Sequence, residues 1–149
     1  YKRQIFDDIQ KFVVDRGKAA GAGDQIGTVL YNRGMYNAML ITEAARTAQA
    51  IAGKSNISQA DMIKGFEALE MTEEKMAALG LPGFGPSFSV SCENHGGDGM
   101  VAVAQWDAGA GKWSIVSDFQ ASDMSVIQPL IDADSGAFAS ENNLSPNCN

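Results

Sequence analysis

His95 is the single histidine of the chain, three residues after Cys92 in Cys92-Glu93-Asn94-His95-Gly96-Gly97-Asp98-Gly99. A thiol beside an imidazole is the start of a nucleophile activated by a general base. That chemistry also needs a third group to orient the ring, and none is evident nearby. The same stretch offers His95, Asp98 and Glu93 as metal donors, in a spacing that matches no common metal motif. The glycines around them favour a hairpin turn that leaves His95 in solvent or hydrogen-bonded within the turn. A small hydrolase built on Cys92 and His95 is one reading, and the turn is the simpler one.

The most specific local feature is Gly27-Thr28-Val29-Leu30-Tyr31-Asn32-Arg33-Gly34. A β-branched strand, Ile26 to Leu30, is expected to run straight into a helix. Strand-to-helix junctions place side chains and free helix N–H groups where ligands bind. Tyr31, Asn32 and Arg33 are therefore the candidate ligand-binding residues. Their plainer roles are packing for Tyr31, capping for Asn32 and solvation for Arg33. The glycines of Gly21-Ala22-Gly23-Asp24-Gln25-Ile26-Gly27 follow a helix and lack dinucleotide-loop spacing, so they read as a connection. Glu73 and Glu74 are adjacent, do not face each other on a helix, and read as a solvated first turn. Met35, Met39, Met62, Met71 and Met76 read as core at helical spacing. The alternative is a stand-alone Met-rich helical interaction module, since such surfaces bind varied apolar partners.

The elements that would position these residues follow from periodicity. Ile5, Ile9, Phe12 and Val13 predict an amphipathic helix over 2–18. The longest helix is expected over 33–52, with Ala44, Ala45, Ala48 and Ala52 permitting close packing and Gly53 as its stop. Ser58 followed by Asp61 predicts one helix start, and Thr72 another. Gly80 to Pro86 is a loop by composition. From Ser87 the period changes from 3.6 to 2. Phe88–Cys92, Val101–Gln105 and Trp113–Ser117 predict a short three-stranded antiparallel meander. An apolar segment, 126–131, and a weak helix over 134–142 complete the chain.

Composition narrows the function. The 149 residues hold 11 Lys plus Arg against 18 Asp plus Glu, a formal net charge of −7. Residues 83–149 contain one base, Lys112, against eight acids, and carry the whole excess. Such a balance argues against a nucleic-acid partner. No apolar run approaches the roughly 20 residues that span a bilayer. The chain starts on Tyr1 and enters a helix almost at once, so an upstream part is expected to be missing. Two cysteines with no partner ligands fit either free thiols or one disulfide.

The order of several segments resembles the C-terminal part of the type I periplasmic solute-binding proteins of branched-chain (hydrophobic) amino-acid ABC transporters. The segments are Tyr31-Asn32-Arg33-Gly34, Gly65-Phe66-Glu67-Ala68-Leu69, Leu79-Gly80-Leu81-Pro82, Ser91-Cys92-Glu93-Asn94-His95, Gln105-Trp106-Asp107, and Lys112-Trp113 before Asp118-Phe119. The resemblance implies an α/β, two-lobed fold. Residues 1–86 would form a helical segment of one lobe, 87–119 strands crossing between lobes, and 120–149 a C-terminal extension. It implies a Cys92–Cys148 disulfide, a periplasmic location and no enzymatic chemistry, cofactor or metal. A small hydrophobic amino acid or related carboxylate would bind near Tyr31, Asn32 and Arg33, and a membrane permease and the missing N-terminal part would be partners.

Overall fold

The computed structural model describes residues 4–21, 23–145 and 148. The chain divides into two units, Tyr1–Ser91 and Cys92–Asn149.

The first unit is helical. Helix α1 spans Gln4–Ile9 and passes into a π-helical turn, Gln10–Val14, closed by Asp15 N–H donating to Gln10 O at 2.9 Å. Of the expected helix over 2–18, residues 2 and 3 lie outside the described residues, and the rest is an α-helix only over Gln4–Ile9. A 3-10 turn, Gly23–Gln25, leads to α2, Val29–Ala52. The strand expected over Ile26 to Leu30 does not form. Gly27 takes a positive φ of 86°, which breaks an extended run, and Thr28 is already the N-cap of α2. The β-branched residues there stand at a helix entrance, where tertiary context overrides their strand preference.

Helix α2 ends where Gly53 adopts a left-handed φ of 64°. Helix α3, Gln59–Glu67, begins with a complete capping box. The Ser58 hydroxyl accepts from Asp61 N–H at 3.2 Å, and Asp61 Oδ2 accepts from Ser58 N–H at 2.9 Å. Helices α2 and α3 meet through small residues. A Cβ on Gly65 would lie 2.2 Å from the Ala44 carbonyl oxygen and 2.7 Å from the Ala48 Cβ, so only glycine fits. Strand β1, Glu70–Met71, and helix α4, Glu73–Ala78, follow. Thr72 caps α4 by accepting from Lys75 N–H at 3.2 Å. Strand β2, Phe88–Ser89, pairs antiparallel with β1, Met71 opposite Phe88. The core is Leu69, Met71 and Met76, with Met39, Leu40, Leu79 and Phe88 packed on it.

The second unit is sparser. Strands β3, Met100–Val101, and β4, Ala104–Asp107, precede β5, Lys112–Ile115, and β6, Gln120–Ala121. They form two separate antiparallel pairs, β3 with β6 and β4 with β5, in place of the expected meander. Side chains interrupt the ladder: Val103 N–H donates to Ser117 Oγ at 2.8 Å, and Ser122 Oγ donates to Gly99 O at 3.0 Å. The hairpin turn is set by Asp107 Oδ1, which accepts from Gly109 N–H at 2.9 Å and Ala110 N–H at 3.0 Å. Helix α5, Met124–Glu141, unites the apolar segment and the weak helix into one element. Pro129 lies inside it. Its ring φ is already helical and it removes one ladder bond, which the helix absorbs.

Both units agree with a mixed composition of helices and small antiparallel sheets. The two-lobed binding-protein architecture is a different matter and is corrected below.

Candidate functional site

Tyr31, Asn32 and Arg33 all fall in the first turns of α2, after the N-cap Thr28. Successive helical residues project about 100° apart, so three in a row spread around the axis. Burial reflects this: Tyr31 and Asn32 are half-buried and Arg33 is exposed. Asn32 is tied down locally, Nδ2 donating to Gly27 O at 3.1 Å. Its Oδ1 is enclosed without a hydrogen-bond donor among the described residues. The strand that was to deliver these residues to a sheet edge does not form. What stands at this end of α2 is a helix entrance held by its own backbone.

One turn further along α2, Tyr36 stacks on Phe84, centroids 5.7 Å apart and planes 15° from parallel. The stack pins the loop 80–86 to the helix. Gly85 sits against the phenol, 3.5 Å from a Cβ position to the Tyr36 hydroxyl. Burial pushes the Tyr36 hydroxyl above its ordinary pKa, because the phenolate is the form that loses solvation.

Glu43 is the feature that residue pattern did not single out. It is a charged residue on α2 with 5% exposure. Its carboxylate meets Arg46 through one oxygen and Lys75 of α4 through the other, the latter at 3.5 Å. Lys75 also donates to Glu70 O at 3.1 Å. The site therefore links α2, α4 and β1 through one buried anion. Its only sequence signal is Glu43 one position from the Ala44–Ala48 stripe, on the face that packs.

The chemistry considered for Cys92 is closed by bonding. Cys92 and Cys148 form a disulfide, so Cys92 is neither a nucleophile nor a thiolate ligand in this state. His95 is exposed in its glycine-rich turn, as are Glu93 and Asp98. The Met-rich module is also corrected. Met71 and Met76 are fully buried at 0% and 1%, and Met39 packs on them, so these methionines fill a core.

In the second unit, cross-strand register puts Trp106 opposite Trp113 and Ala104 opposite Ile115, all on one face of the β4–β5 hairpin. The indoles lie 5.5 Å apart, inclined by 57°. The hairpin also borders an open groove of about 380 Å³ lined by Gln105, Trp106, Asp107, Ala108, Ser114 and Val116. Small-molecule sites bury most of their ligand inside concave walls. An open groove beside exposed indoles suits contact with another surface. The apolar side chains of α5 extend this character: Val126 is 60% exposed and Leu130 63%.

No described helix is long and apolar enough to cross a membrane. No family model and no curated protein matches the chain. Among solved structures, it is similar to a protein whose crystal structure is titled an ABC transporter permease from the Pseudomonas fluorescens group. The TM-score is 0.87 and the identity 33%, over 99% of this chain and 36% of that one. This finding overturns the resemblance to periplasmic solute-binding proteins, with its two-lobed fold and its amino-acid ligand. The permease likewise changes place, from expected partner to the kind of protein that this chain is similar to. The chain spans about a third of that protein's length and shares the fold of a section of an ABC-transporter protein.

Proposed function

We propose that this chain serves as an assembly section of an ABC-transporter component of the kind named in its structural neighbour. The section lies outside the membrane-crossing part and performs no covalent chemistry. The single observation that carries the reading is the full-length likeness to a section of that protein. Exposed apolar faces in the second unit support it. Trp113, Ile115, Val126 and Leu130 are each at least 60% exposed. Exposed apolar side chains grouped on one face, as Trp113 and Ile115 are, mark a contact with another polypeptide. The Cys92–Cys148 bond supports a location on the oxidising side of the membrane, because disulfides persist there and are rare in reducing compartments.

The test is photocrosslinking in the native host, with a photoreactive residue in place of Trp113 or Leu130. The expected adduct joins the probe to a transporter polypeptide, whether a continuation of the same chain or a separate subunit. Adducts spread over unrelated proteins, or none at all, would remove the assembly reading.

A further inference from the structure

We propose that the Cys92–Cys148 disulfide is the closure on which the order of the second unit depends, so that this unit is folded conditionally on redox state and the first unit is not. The second unit runs Cys92–Asn149, and the bond joins its first residue to Cys148, a separation of 56. It therefore clasps the whole unit end to end. No described residue from Cys92 onward is buried. The pairings inside are short and mostly local: a four-residue hairpin, the two-residue β3–β6 ladder, and the turns of α5. A hairpin and a lone helix are each marginal in water. The disulfide spans 56 positions, against 23 for the Ser122–Gly99 hydrogen bond beside the β3–β6 ladder. The entropy removed from the unfolded chain by a cross-link grows with the length of the loop it closes.

The first unit contrasts on each count. It contains no cysteine, and it encloses Leu69, Met71 and Met76. Opening the bond should leave it intact.

The chemistry is thiol–disulfide exchange with a dithiol reductant. A thiolate of the reductant attacks one cysteine sulfur, the protein S–S bond breaks, and a mixed disulfide forms. The second reductant thiol then resolves it. The two electrons and two protons end on Cys92 and Cys148 as thiols, and the reductant leaves as its cyclic disulfide. Cys148 is exposed and Cys92 half-buried, so the bond is open to attack.

The two tryptophans provide the readout. Both Trp106 and Trp113 lie in the second unit, and their rings are close enough for exciton coupling in circular dichroism. Dithiothreitol should release two thiols by mass and cut the coupled signal by roughly half or more. Amides of 100–141 should exchange about tenfold faster, while those of 29–52 change less than twofold. Cys92→Ser/Cys148→Ser should reproduce the reduced behaviour without reductant and show no response to it. Two results would overturn the proposal. One is an unchanged coupled signal in protein with two confirmed thiols or in the double variant. The other is loss of protection in α2 in step with α5.

Discussion

The first unit buries Met71, Met76 and Leu81 almost completely, whereas no described residue between Cys92 and Cys148 is buried. Charge divides at the same place. Residues 1–91 hold ten bases and ten acids, and residues 92–149 hold one base and eight acids, which gives the net −7. One region is stabilised by transfer of side chains out of water. The other rests on a covalent clasp and local hydrogen bonds, and leaves its apolar side chains at the surface. The difference teaches that burial, not apolar content, separates the units. Val29 and Leu30 of the first unit are exposed as well, yet a core is enclosed there and none is among the described residues of the second.

The largest effect expected on this contrast comes from Gly65→Val. Its Cβ would meet the Ala44 carbonyl oxygen, a backbone atom that cannot swing aside. Helices α2 and α3 must separate, at a cost of about 3 kcal/mol or more for the first unit. Thermal unfolding followed by far-ultraviolet circular dichroism reads it directly. A shift of less than a few degrees would mean that α2 and α3 do not meet as closely as their small residues indicate.

One substitution made in both units tests the contrast next. Leu69 is 3% exposed and Leu130 is 63% exposed. Leu69→Ala should cost about 2–5 kcal/mol, the range for a buried leucine. Leu130→Ala should stay within about 0.5 kcal/mol in the isolated chain, because no packed neighbour is lost. Denaturant midpoints of the two variants give both numbers. Equal costs would erase the distinction between the units.

The sequence made some of this architecture legible and hid the rest, for physical reasons. The helix signals at Ser58, Thr72 and Gly53 acted as their chemistry dictates, since a cap is a local hydrogen bond that tertiary structure rarely overrules. The methionine core was likewise readable. Strand identity at 26–30 was not, because β-branched residues at a helix entrance look the same as a strand until Gly27 turns the backbone. Helix α5 was read as two pieces, an apolar segment over 126–131 and a weak helix over 134–142, and Pro129 costs the single helix one bond without ending it. The candidate site changed its setting at the same junction: Tyr31, Asn32 and Arg33 stand on consecutive positions of a helix and not at the end of a strand. Glu43 was hidden because a glutamate beside an alanine stripe carries no sign that Lys75, 32 positions away, will reach it.

That buried carboxylate sets the third expected effect. Glu43→Gln keeps the shape and removes the charge, leaving Arg46 and Lys75 to share a neutral amide. The first unit should lose about 1–3 kcal/mol, the usual cost when a buried charged hydrogen-bond partner is removed. Glu43→Ala should cost more. Stability equal to the parent in Glu43→Gln would show that the ion pairs only offset their own desolvation.

The smallest expected effect concerns acid and separates the units by chemistry at the surface. The Asp61 carboxyl is held well below the usual carboxylate range, first by the Lys54 ammonium at 2.9 Å and then by the Ser58 amide and hydroxyl. Its ionised form is favoured in the folded chain, so the unfolded chain takes up the proton first. The contribution is therefore fully present above the ordinary aspartate pKa of about 4 and fades as pH falls below it. Asp123 behaves in the same direction at the start of α5, where the Ser125 hydroxyl and amide favour its charged form. Acidification from pH 5 to pH 3 should thus loosen the starts of both α3 and α5. Asp61→Asn should remove the acid response at α3 while leaving that at α5. Residue-resolved amide exchange at the two pH values reads both at once. The outcome that would refute the argument is an Asp61→Asn protein whose α3 amides still lose protection between pH 5 and pH 3 as the parent's do.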